Sequence, residues 1–226
     1  MKDVLVSWSS GKDSAWTLEL LLRDPAVRVR ALVTNFQQES NLVTMHSVPR
    51  ALVEEQARRV RLPLWAMNVP WPCSNAAYEE GLRAVCERAR HDGIETIAFG
   101  DLFLQDIRNY REQQLHGSGL HPIFPLWHAP TDRLANEMID SGLRAKIVCV
   151  DTVKLPSESA GTDYDRKFLE SLPATVDPCG ENGEFHTFVY NAPAFHAPID
   201  VSLGEIAERD GFAFAGITAP STQCLS

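Results

Sequence analysis

Short apolar runs alternate with longer segments of helical periodicity through the first hundred residues. Four of these runs are typical of buried strands: VLVSW (4–8), VRALVTN (29–35), LWAMNV (64–69) and TIAFG (96–100). Between them, apolar residues recur at helical spacing, as at Ala15, Leu18 and Leu22, which predicts amphipathic helices. Strands that alternate with helices in this way form a parallel sheet through right-handed crossovers. The pattern therefore predicts an α/β fold, a parallel sheet with helices on both faces.

The second half of the chain has a different pattern. It predicts, in order, a polar helix over about 104–115, a helix over Thr131–Ser141, a strand over 145–153 and a helix around 163–171. The residues that follow are rich in turns and then β-like, and we expect the tail FAFAGI (212–217) to pair with them. GSG (117–119) marks a soft boundary. We therefore expect a first domain over 1–117 and a smaller α/β domain over 118–226.

Composition excludes several classes of protein. Lys and Arg number 21 against 30 Asp and Glu, a net charge of −9, so the chain has no general attraction for nucleic acid. The five cysteines are scattered without a CxxC pair, which argues against a disulfide framework or a zinc knuckle. No run is long and apolar enough for a membrane span, and the first residues lack signal-peptide features. We expect a reduced, cytoplasmic protein with no membrane partner, and the sequence leaves its oligomeric state open, a homo-oligomer included.

The segment SWSSGKDSAW (7–16) lies where the first strand becomes a helix. Small residues at such a turn direct several backbone N–H groups to one point, and the helix dipole adds positive potential there. The predicted phosphate ligands are Ser9, Ser10, Gly11, Lys12 and Ser14. Asp13 has the opposite sign and is predicted to hold Mg²⁺ beside the phosphates. The spacing is not that of a Walker A loop, and the alternative is an ordinary turn with serine capping.

Ligands of parallel sheets bind at the carboxyl ends of the strands, and other polar residues fall at that edge. Thr34 and Asn35 end the second strand, and Gly100 and Asp101 end the fourth, so all four are predicted to contribute to the nucleotide site. His46, in TMHSVPR, follows the second strand. It is predicted to face the nucleotide or the substrate, and the alternative is a loop histidine with a structural hydrogen bond.

The segment GENGEFHTF (180–188) places carboxylates, an amide and an imidazole in a glycine-broken turn at the start of a strand. Its predicted substrate-binding residues are Glu181, Asn182, Gly183, Glu184, His186 and Thr187. Such a set suits a metal, a cationic substrate or an amine. The alternative is a polar hairpin turn, but the density of polar residues after the rigid DPCG (177–180) favours a site.

Several motifs carry a family resemblance. SSGKDS (9–14) resembles the SGGxDS signature of the PP-loop ATP pyrophosphatases, with Ser10 where that family commonly has glycine. The GD-x-F-x-x-D-x-R segment from Gly100, PLW (125–127) and DPCGENGEFHTFV (177–189) follow in the order found in the diphthine–ammonia ligase family. The resemblance extends from about Val4 to the FAFAGI tail, nearly the whole chain.

The resemblance implies a nucleotide α-hydrolase (HUP-like) domain followed by a smaller substrate-binding domain. It also implies ATP-dependent amidation with Mg²⁺: a carboxylate of diphthine, a modified histidine on elongation factor 2, is adenylated, and ammonia displaces AMP. On this basis we expect Lys12 and Asp13 to act in catalysis. We further expect Glu184 or Glu181 to bind ammonium, and His186 to accept its proton.

Two other classes compete with this interpretation. The same loop serves tRNA sulfur-transfer enzymes, but those usually carry cysteine pairs and a basic surface, and Cys179 is the one residue that would favour them here. Nucleotide α-hydrolase folds also serve as nucleotide-binding sensors, which need the loop but not GENGEFHTF. A PP-loop ligase acting on a different carboxylate is the remaining alternative.

Overall fold

A computed structural model of the chain describes residues 1–43 and 47–219. Its first sheet has five strands in the order β3-β2-β1-β4-β5, and every neighbouring pair is parallel. The strands are β1 (Lys2–Ser7), β2 (Val27–Gln37), β3 (Leu64–Val69), β4 (Thr96–Ala98) and β5 (His121–Ile123). The predicted parallel sheet is therefore confirmed.

Helices cover both faces of this sheet, as the alternating pattern predicts. They are α1 (Lys12–Arg23), α2 (Arg50–Val60), α3 (Asn75–His91) and α4 (Gln105–Leu115). In β1, Val4 and Val6 pack with the apolar side chains of α1 and α2, whereas Leu5 packs in a second cluster with those of α3. Successive residues of a strand face opposite sides of its sheet, so one strand serves both clusters. Ser74 caps α3 by accepting a hydrogen bond from the Ala77 amide.

The second sheet is antiparallel, with the strand order β7-β6-β9-β8. Its strands are β6 (Arg144–Asp151), β7 (Phe185–Asn191), β8 (Ser202–Arg209) and β9 (Phe212–Thr218), and its helices are α5 (Thr131–Asp140) and α6 (Arg166–Ser171). The tail strand β9 pairs with β6 and β8, not with β7, which begins within GENGEFHTF. The sequence did not predict β8, because all eight of its residues are exposed and show no buried alternation.

The two sheets share one apolar core. One buried cluster contains Val4 of β1 and Trp16 of α1 together with Val148 of β6 and Phe188 of β7. Among the described residues, none of the helices is both long and apolar enough to cross a bilayer. The shared core brings β7, which carries the histidine of GENGEFHTF, against the loop between β1 and α1.

Candidate active site

The loop between β1 and α1 is held by its own hydroxyl groups. Gly11 is the N-cap of α1 and has no side-chain cap. The Ser14 hydroxyl donates to the Gly11 carbonyl at 2.9 Å, and Ser9 Oγ lies 3.3 Å from Ser14 Oγ. The Lys12 amide donates to Thr187 Oγ1 of β7 at 3.0 Å. The first turn of α1 thus depends on a residue 175 positions later in the chain.

Ser10 adopts a backbone conformation that favours glycine. Its φ of 70° lies in the left-handed region, and its side chain is fully buried. Within the described part of the chain, its hydroxyl has no hydrogen-bond partner. The position where the family signature commonly has glycine is therefore also a position whose backbone conformation favours glycine.

The loop is also tied to α2 and β7 through Gln56, which is fully buried. Its amide nitrogen donates to the carbonyl oxygens of Ser10 at 3.0 Å and Val189 at 2.6 Å, and its oxygen accepts from the Trp8 indole at 2.8 Å. The Val189 amide in turn donates to the Ser10 carbonyl at 2.9 Å. One amide side chain thus fixes the loop, α2 and β7 relative to one another.

Lys12 is buried, with only 2% of its side chain exposed. Its ammonium donates to Asp13 Oδ2 at 2.9 Å and to the Cys179 carbonyl, and it lies 5.4 Å from the centre of the Phe185 ring. Burial alone lowers the pKa of Lys12, but the surrounding negative charges, that of Asp13 foremost, outweigh it and raise this pKa. Lys12 is therefore a fixed positive charge beneath the loop.

The turn that contains GEN is built around Asp177 and Glu184. Asp177 Oδ1 accepts hydrogen bonds from the Cys179 and Glu181 amides, and its Oδ2 accepts from the Thr131 hydroxyl at 2.6 Å. Glu184 Oε1 accepts from the Asp177 amide and from the Asn182 side chain. Both carboxylates therefore organise the turn through its own backbone.

Glu181 extends from this turn to the end of β4. Its Oε1 accepts hydrogen bonds from the Leu102 amide at 2.7 Å and the Phe103 amide at 3.4 Å. Gly100, just before them, lies so close to α1 that a Cβ there would fall 2.9 Å from the backbone of Asp13. This close approach brings the end of β4, the start of α1 and the GEN turn to one place.

These elements enclose a cavity of about 250 Å³. The loop, the end of β4, α4 and the turn before β7 all contribute to its walls. The lining residues that argue for function are Ser9, Gly11, Lys12, Asp13, Ser14, Gly100, Asp101, Arg111, Cys179, Glu181, His186 and Thr187. Both sequence motifs and the end of β4 therefore meet in one site.

Three carboxyl groups in this cavity have raised pKa values. Burial raises the pKa of Asp13 and of Asp101, and it raises that of Glu181 to about 7, with a further contribution from the charges of Asp13 and Asp101. Among the described residues, Asp13 Oδ1 and Asp101 Oδ2 have no hydrogen-bond partner. Buried oxygens of this kind gain from a bound cation, because it offsets the cost of burying their charge.

His186 and Cys179 also border the cavity, and both are neutral near pH 7. Burial, with the positive charge of Lys12, lowers the pKa of His186 to about 4. Burial raises the pKa of the Cys179 thiol to about 12. The imidazole of His186 is therefore uncharged, and the thiol of Cys179 stays protonated.

Not every predicted residue lies at the cavity. Ser10, Thr34, Asn35, Asn182 and Glu184 are not among its lining residues. Thr34 is buried and donates to the Trp8 carbonyl at 2.7 Å, so its contact in the structure is with the loop backbone. His46 lies outside the described residues. The nucleotide and substrate roles of all these residues remain predictions.

Other residues of the site were not predicted as site residues. Arg111 of α4 reaches the cavity, and its Nε lies 3.7 Å from Asp101 Oδ2. In the sequence, helical spacing alone does not say which face of this polar helix meets the sheet. Asp177 and Thr131 are joined across 46 positions, and no local pattern predicts such a contact.

Comparison with known families covers most of the chain. Residues 1–122 match the family model described as the diphthamide synthase N-terminal domain, and residues 130–219 match the diphthamide synthase C-terminal domain. Together these two segments include the strands of both sheets, except for Ile123 at the end of β5.

The chain is also similar to curated proteins that are named diphthine–ammonia ligase. The chain is 32% identical over 144 residues to a diphthine–ammonia ligase of Bos taurus and 31% identical over 144 residues to one of Homo sapiens. Each alignment covers 61% of this chain and 52% of the relative. A diphthine–ammonia ligase of Schizosaccharomyces pombe is 27% identical over 123 residues, 53% of this chain and 20% of the relative.

The chain thus matches about half the length of the mammalian relatives and a fifth of the yeast one. The matched family models, by contrast, begin at residue 1 and reach residue 219, and they include both the β1–α1 loop and the GENGEFHTF turn. On the strength of these two matches, the chain belongs to the diphthamide synthase family.

Proposed function

We propose that this protein is an ATP-dependent amide ligase that adenylates a carboxylate and replaces the AMP with ammonia. The observation that carries the proposal is the cavity in which the β1–α1 loop, Lys12 and three partly buried carboxyl groups meet. A sensor would need the loop alone, whereas this cavity adds groups suited to a cation and an amine. Membership of the diphthamide synthase family supports the same conclusion.

A carboxylate is a poor electrophile, and adenylation supplies the leaving group that amidation needs. A carboxylate oxygen attacks the α-phosphorus of ATP, and the bond from that phosphorus to the bridging oxygen of pyrophosphate breaks. The nitrogen of ammonia then attacks the acyl carbon, AMP departs with the C–O bonding pair, and the nitrogen loses a proton to a base. Preorganised donors that stabilise departing pyrophosphate contribute ~10²–10³ in rate each.

Ser9, Gly11 and Ser14 are the proposed donors to the phosphates, and Lys12 supplies positive potential behind them. Carboxylates this close to phosphates repel them unless a metal ion lies between. Asp13 Oδ1 and Asp101 Oδ2, which have no hydrogen-bond partner among the described residues, suit Mg²⁺, which would neutralise phosphate oxygens when bound. In the described part of the chain, no group of three or more His, Cys, Asp or Glu side chains forms a metal site. Asp13 and Asp101 are thus the residues that would hold Mg²⁺.

For ammonium we propose Glu181, since its carboxyl group borders the cavity and has a pKa of about 7. His186 is the proposed proton acceptor because it lies in the same wall; its lowered pKa of about 4 makes the imidazole a weak base, so position alone supports this role. Glu184 was predicted to share the ammonium role, but its contacts support a positioning role in the turn. Ammonia-dependent turnover that survives in Glu184→Gln and is lost in Glu181→Gln would support this assignment.

The relatives are named for diphthine, so we propose diphthine on elongation factor 2 as the carboxylate substrate. The decisive assay combines the protein, ATP, Mg²⁺ and ammonium, with and without diphthine-bearing elongation factor 2, and separates AMP from ADP. We expect AMP and pyrophosphate, dependent on ammonium and on the factor. Asp13→Asn should abolish them, whereas Asp140→Asn, on the exposed surface, should not.

Other outcomes identify the alternatives. AMP formed only with another carboxylate would keep the chemistry and replace the substrate, and nucleotide binding without AMP would favour a sensor. Sulfur transfer to tRNA would require persulfide on Cys179, which the burial of this thiol and its pKa of about 12 oppose. Formation of ADP would contradict the proposed adenylation.

A further inference from the structure

A second cavity, of about 410 Å³, adjoins the first. One wall comes from the end of β2 and the segment after β3, and it includes Gln37 and Trp71. The opposite wall comes from the antiparallel sheet and the turn between β8 and β9. His186 lines both cavities, and it forms the boundary between them.

The sheet wall is one row of side chains across three strands. Cys149 of β6 is in register with His186 of β7 on one side and with Phe214 of β9 on the other. Side chains in register across neighbouring strands point to the same face. Phe212, two residues before Phe214, joins the same face, and all four residues line the cavity. The row therefore leads from an aromatic wall directly to His186.

The chemistry of this cavity suits a ring with a charged extension. Trp71, Phe212 and Phe214 supply aromatic surface, and half of the Trp71 side chain is exposed. Arg209 is the cationic residue among the lining residues and Asp210 the anionic one, and the Arg209 guanidinium carbon lies 4.2 Å from the centre of the Phe214 ring. Arg209 Nη2 donates to Ser47 Oγ at 2.7 Å, which fixes it across the cavity. Arginine attracts carboxylates, and aromatic walls hold planar rings.

We infer that this second cavity receives the acceptor side chain, a histidine-derived ring extended by a carboxylate. The ring lies against Trp71 and Phe212, Arg209 draws the anionic group in, and the carboxylate reaches the first cavity beside His186. This inference rests on the proposed function, because it assigns that reaction's acceptor to a place. It separates the two substrates: nucleotide on one side of His186 and acceptor on the other.

The test measures acceptor binding and turnover separately. Direct binding of diphthine-bearing elongation factor 2 is measured without ATP, and the acceptor KM is then measured at saturating ATP and ammonium. In each of the variants Trp71→Ala, Phe212→Ala and Arg209→Ala we expect the binding affinity to fall, and the acceptor KM to rise, by about five- to tenfold. This is the effect of losing one aromatic or charge-assisted contact. The affinity for ATP in the absence of the factor should not change.

Arg88→Ala is the matched control. Arg88 of α3 also stacks on an aromatic ring, with its guanidinium carbon 4.0 Å from the centre of the Trp65 ring, but it lines neither cavity. We expect wild-type acceptor binding in this variant. Trp71→Ala keeps the test valid if Phe212→Ala fails to fold, because Trp71 is half exposed.

Binding and turnover together distinguish the two proposals. If wild type forms the amide but the three cavity variants bind the factor normally, the second cavity is not the acceptor site. If wild type binds the factor and the variants bind it more weakly, but no amide forms, the cavity binds the factor and the ligase proposal fails. If wild type does not bind the factor at all, the acceptor assignment is overturned, whereas AMP formed with another carboxylate would still support the ligase chemistry.

Discussion

Ser10 has a backbone geometry that its side chain does not favour. A residue with a side chain costs about 1–2 kcal/mol in the left-handed region, whereas glycine gives up about 0.5–1 kcal/mol of chain entropy. Its buried hydroxyl, without a partner among the described residues, adds a desolvation cost. We therefore expect Ser10→Gly to stabilise the protein by about 1 kcal/mol, measured as a higher midpoint in urea unfolding.

Ser10→Ala separates the two causes, because it removes the hydroxyl and keeps the strained backbone. It should recover only part of the gain. A loss of stability in Ser10→Gly would mean that the hydroxyl makes a contact that outweighs the strain.

Glu181 makes the stability of the protein depend on pH. Folding raises its pKa from 4.5 to about 7, so the folded chain holds this proton more tightly than the unfolded chain. Stability conferred by the protonated group is present below pH 4.5 and is lost as the pH rises to about 7. Glu181→Gln has no such titration. Without nucleotide and Mg²⁺, it should exceed wild type in stability at about pH 8 by about 1 kcal/mol, a value reduced from the full shift because the carboxyl group borders a cavity.

Near pH 4 the two proteins should unfold at similar denaturant concentrations. A constant difference at every pH would mean that the glutamine changes packing and not titration. For activity the sign is opposite: with free ammonia held constant, wild-type turnover should rise as Glu181 ionises through pH 7, and Glu181→Gln should lose this step.

Individual residues of the site were predictable only where the local sequence carries their chemistry. The density of small and polar residues in 9–14 and 180–187 predicted the two motifs, and most of those residues line one cavity. The side-chain direction of Glu184 was not predictable. Glu181 and Glu184 are three positions apart in the same turn, and only the fold decides that one faces the cavity and the other the backbone of the turn.

At the scale of elements, Gln56 joins three parts of the chain. Gln56→Leu preserves the approximate volume but leaves the Trp8 indole and the Val189 carbonyl without this partner. We expect a loss of about 2–4 kcal/mol in the free energy of unfolding, since each buried group left unpaired costs about 1–3 kcal/mol. The affinity for ATP should fall as well, because the same side chain holds the Ser10 carbonyl.

Gln113→Leu, on the exposed surface of α4, provides the control and should leave both quantities nearly unchanged. An equally small effect in Gln56→Leu would show that the loop and β7 are held mainly by the Val189–Ser10 hydrogen bond.

The elements of the first sheet were predictable because each strand is buried and each helix carries an apolar stripe. The pairing of the second sheet was not. The sequence placed β9 beside β7, but β6 lies between them, since strand order depends on contacts that no local pattern records. The exposed β8 has no burial signal at all.

For the whole molecule, the shared core predicts cooperative unfolding. The division into a nucleotide-binding domain over 1–117 and a substrate-binding domain over 118–226 stays a prediction. Since one apolar cluster includes residues of both sheets, we expect a single calorimetric transition with equal van't Hoff and calorimetric enthalpies. Two separated transitions, or ATP with Mg²⁺ shifting only part of the transition, would indicate that the halves unfold independently.

The hydrogen bond between the Ser10 carbonyl and the Val189 amide has a consequence for synthesis on the ribosome. The partner strand follows the loop by 179 positions, from Ser10 to Val189, and at ~5–20 residues per second the interval is roughly 10–40 s. A nascent chain therefore exposes an incomplete loop until β7 has emerged. Ribosome-bound chains that end before β7 should not retain ATP, and the nucleotide should bind only after β7 has emerged.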